Sequence, residues 1–169
     1  AMLHVTGAAR YVDDLPEPPG LLHAALVTAD VAAGRILRID VEAARSVPGV
    51  VDVVVAADLP GDARIGPITH DEPVLVDDQV HFHGQNLAVV YAETRQAAQA
   101  AVDAVVVMIE AEEPLLSLEE SIQRQDFLMK PHTIARGDVE AALQSAPRRL
   151  TTVVSPGAQD HFYLECQAA

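Results

Sequence analysis

Between residues 79 and 109 the chain is punctuated in a way that few folds accommodate. Residues 79–83, Gln-Val-His-Phe-His, alternate polar and apolar, Gly84-Gln85 makes a turn, and residues 86–92 form an apolar run of strand length. Thr94 then precedes an alanine-rich stretch reaching Ala104, and residues 105–109 are a second apolar run. Runs this short, bounded by turn residues and separated by a helical stretch, predict strand, helix, strand. The Thr94 hydroxyl oxygen is placed to accept a free backbone N–H at the helix start. If the two strands are parallel, the connection crosses over right-handed. In that arrangement Val89 and Val106 are both buried in one sheet.

The flanking sequence reads as more of the same α+β material. Residues 21–27 form a strand-like run behind the turn residues Pro16-Glu17-Pro18-Pro19-Gly20. Residues 35–41 alternate as a half-buried strand does. A short helix over 42–46 stops at Pro48-Gly49, and residues 50–55 predict a β-branched, central strand. Residues 58–78, broken by Pro60, Gly61, Gly66, Pro67 and Pro73, read as a long loop. Ser117-Leu118-Glu119-Glu120 has a capping-box pattern for a helix to about Gln123. Gly137-Asp138 opens another helix over 139–145, and residues 149–155 read as a last strand. The segment 123–131 is the candidate linker.

With 169 residues, half of them hydrophobic, the chain is long enough for one cored domain or one domain plus a piece of another. Lys and Arg number 11 against 25 Asp and Glu, a formal charge of -14. Such a surface repels phosphate backbones and anionic lipid, which disfavours nucleic-acid and membrane-surface roles. The longest apolar run, residues 104–109, is too short to cross a bilayer. The single cysteine, Cys166, excludes an internal disulfide within the sequence and suits a reducing cytoplasm.

Few residues are arranged for chemistry. His81 and His83 face the same side if residues 79–83 form a strand, but no third metal ligand is fixed by spacing; in that strand Phe82 faces the core. Cys166 follows Glu165, whose charge opposes thiolate formation, so it reads as a small buried residue rather than a nucleophile. The carboxylate pairs Asp13-Asp14, Asp77-Asp78, Glu112-Glu113 and Glu119-Glu120 read as solvated faces. No phosphate-binding glycine loop occurs. The densest polar cluster is Gln159-Asp160-His161-Phe162-Tyr163-Leu164-Glu165-Cys166-Gln167. There the neutral amide of Gln159 can donate and accept hydrogen bonds without adding charge.

That segment, Gly157-Ala158-Gln159-Asp160-His161-Phe162-Tyr163-Leu164-Glu165, resembles the Gly-Gln-Asp-His-Phe-Tyr-Leu-Glu wording of the xanthine dehydrogenase / aldehyde oxidase family. Ala158 stands where that family has glycine, and Cys166 where threonine is common. Residues 7–16 (Gly-Ala-Ala-Arg-Tyr-Val-Asp-Asp-Leu-Pro), 47–50, 56–61, 66–73 and 135–139 resemble further family segments in the same order. The resemblance implies an α/β-hammerhead domain over residues 1–130 and the truncated start of a molybdenum-cofactor-binding domain over 131–169. It implies Gln159 as the near-metal, cofactor-binding and catalytic amide, with no metal ligand in the chain. The activity implied is hydroxylation of hypoxanthine and xanthine to urate, with oxygen from water. The cofactors implied are molybdenum-molybdopterin in the complete enzyme, and iron–sulfur clusters and FAD on a partner subunit or domain. By itself the chain is then expected to be inert and free of cofactor, with its exposed end open to homo-oligomerisation. Two other readings stay open: a sibling hydroxylase for aldehydes or N-heterocycles, and a non-enzymatic interaction module.

Overall fold

A computed structural model describes residues 1–66 and 68–162. In chain order the elements are α1 (Met2–Val5), β1 (His23–Thr28), β2 (Gly34–Asp40), α2 (Glu42–Arg45), β3 (Val50–Val55), β4 (Arg64–Ile65), β5 (Glu72–Pro73), β6 (Gln79–Val80), β7 (Asn86–Ala92), α3 (Arg95–Ala104), β8 (Val106–Ala111), α4 (Leu118–Arg124) and α5 (Val139–Ser145). Short 3-10 turns lie at Val12–Asp14 and Ala56–Asp58. The mixture bears out the α+β reading. The chain divides into two compact units, residues 17–117 and residues 1–16 with those from 118 onward.

The unit 17–117 contains two three-stranded antiparallel sheets, ordered β1-β7-β3 and β6-β2-β8, and the small hairpin β4-β5. β7 is the middle of the first sheet, with Leu87, Ala88, Val90 and Ala92 all fully buried. A strand flanked on both sides and covered on both faces needs a nearly continuous apolar run, which residues 86–92 supply. α3 lies on this sheet through Ala98 and Ala101, and Ala44 of α2 joins them. Small side chains at these positions let helix and sheet approach closely. Leu87 joins a second cluster with Ala29, Val76 and Val80, against which Ile36, Ile39, Val107 and Ile109 of the other sheet pack. Ile39 and Val107 touch both clusters, so the core is continuous between the sheets.

Thr94 caps α3 as expected: its Oγ1 accepts the Ala97 N–H at 3.1 Å. Thr94→Ala is expected to lower stability by about 0.5–2 kcal/mol, and Thr94→Ser to retain most of it, as read from urea midpoints.

Three expectations for this unit need correction. The helix α3 joins strands of two different sheets, not two parallel neighbours, because β8 pairs antiparallel with β2. Val89 is therefore only half-buried, and Val106 is 54% exposed in the other sheet. Residues 105–109 gave an apolar run, but β8 buries one face only, through Val107 and Ile109. Second, β3 is an edge strand, not a central one. Its outward backbone groups are occupied by side chains: Arg45 donates to the Val53 carbonyl at 3.0 Å, and Asp58 accepts the Val55 N–H at 3.0 Å. Arg45 and Asp58 also pair at 3.7 Å. An edge closed this way tolerates a valine-rich strand without inviting further pairing.

Third, residues 79–83 do not continue as a strand. β6 ends at Val80, and His81, Phe82 and His83 are exposed at a turn. The turn is held by the buried Gln85, whose Oε1 accepts the His81 N–H at 2.7 Å, and by Gly84 at φ 87°. Such a φ suits glycine, and the Gly84 N–H reaches the Ala29 carbonyl at 2.8 Å. The long loop 58–78 holds the β4-β5 hairpin and ends in the core, where Leu75 and Val76 are buried.

In the other unit α5 begins at Asp138, whose Oδ1 accepts the Ala141 N–H at 2.9 Å. α4 carries an ion pair between Glu120 and Arg124 one turn apart, and Tyr11 packs edge-on to His4 at 6.4 Å. The strand expected over 149–155 is absent: the segment belongs to no ladder, and Leu150 and Val153 are 93% and 92% exposed. β-branched sequence favours extended backbone, but a strand exists only where a partner completes its hydrogen bonds. Among the described residues, no helix is long and apolar enough to cross a membrane.

Candidate functional site

Gln159 lies beyond α5 in a segment without helix or strand, and its side chain is exposed. Next to it the Asp160 carboxylate accepts the His161 N–H at 2.7 Å, an arrangement that turns the Asp160 side chain back on its own backbone. Phe162 is fully exposed. Tyr163, Glu165 and Cys166 lie outside the described residues. What the segment presents is thus a solvent-facing amide and an uncovered aromatic ring.

A molybdenum–pterin cofactor needs an enclosing pocket and cations or backbone N–H groups for its phosphate. The described residues do not fit that requirement by themselves, since residues 150–162 are exposed throughout and enclose nothing. Among the described residues no three His, Cys, Asp or Glu side chains group closely enough to hold a metal ion. His81 and His83 sit at the turn before β7, with no third ligand grouped with them among the described residues.

A shallow depression in the unit 17–117 lies where β2 meets the end of β3. Ile36, Leu37, Ile39, Val55, Arg38 and Asp77 are among the residues that line it. It offers about 150 Å³, below the 300–1,000 Å³ range usual for small-molecule sites. Leu37, 53% exposed, falls at a break in the β2-β8 register between Ile36 and Arg38, the kind of irregularity a bulge makes. Arg38 is already paired with Asp40. On the same sheet, Arg35 donates to Glu110 at 2.7 Å. That hydrogen bond, then the charge of Glu110 and more weakly that of Glu112, raises the Arg35 pKa above its ordinary value. The sequence showed neither the bulge nor this cross-strand pair, because both depend on which strand lies beside β2.

Two packed antiparallel sheets joined by a helix between β7 and β8 are the architecture of an α/β-hammerhead domain. The aldehyde oxidase and xanthine dehydrogenase a/b hammerhead domain family matches residues 6–113. Xanthine dehydrogenase 1 of Arabidopsis thaliana is 43% identical over 98% of this chain, which corresponds to 12% of that protein. Among solved structures, the aldehyde oxidoreductase of Desulfovibrio gigas matches 66% of this chain and 14% of its own, at 34% identity and a TM-score of 0.59. A Cu,Mo-CO dehydrogenase matches 71% of this chain and 15% of its own, at 32% identity and a TM-score of 0.64. The chain belongs to the aldehyde oxidase and xanthine dehydrogenase family. It spans about an eighth of the length of the curated relatives it matches.

Proposed function

We propose that this chain is part of the molybdenum-binding subunit of a xanthine dehydrogenase. One observation carries the reading: the 43% identity to a plant xanthine dehydrogenase extends over 98% of the chain and so includes the segment around Gln159. In this reading residues 1–130 are the hammerhead domain, and 131–169 begin the cofactor-binding domain. The complete enzyme hydroxylates hypoxanthine and xanthine to urate in the cytoplasm. Each step replaces a ring C–H by C–OH, takes its oxygen from water, and releases an electron pair and two protons. Molybdenum-molybdopterin supplies the redox chemistry when bound, and iron–sulfur clusters and FAD on a partner subunit or domain carry the electrons away.

In this reading the part of this chain is positional. Gln159 is neutral and both donates and accepts hydrogen bonds, so it would help to hold and orient the bound group without altering the site's charge. A specific observation favours one alternative substrate class, since the aldehyde oxidoreductase of Desulfovibrio gigas matches the same fold; an aldehyde hydroxylase is the second reading.

Gln159→Ala in the complete enzyme is expected to lower kcat about ten- to a hundredfold, the range typical of groups that orient metal ligands. The thermal midpoint should stay unchanged, since the side chain is exposed and supports no packing, and molybdenum content measured alongside separates lost turnover from lost cofactor. Steady-state kinetics on xanthine test this, and an unaltered kcat removes the role assigned to Gln159.

A further inference from the structure

We draw no further inference here: the strongest candidate, the shallow apolar depression between β2 and the end of β3 lined by Leu37, Ile39 and Val55, carries nothing, because nothing in the structure shows what covers it.

Discussion

Leu87→Ala is expected to be the most damaging side-chain truncation in the unit 17–117. Leu87 is fully buried on β7, the central strand of one sheet, yet it packs among Val76 and Val80 with Ile36 and Ile109 of the other. Removing its isobutyl end leaves a cavity where the two sheets meet, walled by strands whose ladders resist collapse. The cost expected is ~2–5 kcal/mol, a large part of the roughly 5–15 kcal/mol that stabilises a domain of this kind. Leu87→Met, which conserves volume, should cost less than about 1.5 kcal/mol. Urea unfolding of the two variants measures the difference, and equal midpoints would show that Leu87 does not join the sheets.

Gly34→Ala should also be strongly damaging, for a steric reason. Gly34 pairs with Val80 on one side and Ala111 on the other. A Cβ built there lies 2.7 Å from Ile109 Cγ2 and 2.8 Å from the Glu110 carbonyl oxygen. The carbonyl belongs to the β2-β8 ladder and cannot swing aside, so the strands must separate. Overpacking of this order costs about 1–3 kcal/mol. Gly157→Ala is the control, because a Cβ there meets nothing within 4 Å. Thermal unfolding should show a lowered midpoint for Gly34→Ala and none for Gly157→Ala.

Local signals were legible where the residues themselves carry the chemistry. Thr94 and Asp138 announce their helices because a short side-chain oxygen is what a helix start requires. β1, β2, β3 and β7 followed from apolar runs and their turns. Partnership was not legible. The run at 105–109 looks the same whether its strand is covered on one face or two, and only pairing with β2 decides that Val106 faces solvent. β3 read as central because valines usually mark buried strands; nothing in the sequence shows that Arg45 and Asp58 close its edge. Residues 149–155 have strand composition but no partner among the described residues, so composition alone overstated them. For the candidate site, Gln159 was recognised through the resemblance of its segment. Its surroundings could not be read from residues that build no pocket.

The central claim is that this hammerhead chain serves a water-dependent purine hydroxylase. The most direct measurement is the mass of the product when the complete gene product turns over xanthine in water enriched in oxygen-18, with an artificial electron acceptor present. The account predicts urate carrying the heavy isotope at the newly hydroxylated carbon, in protein that holds molybdenum. Failure to hydroxylate xanthine, or urate whose new oxygen is not labelled from water, would contradict it.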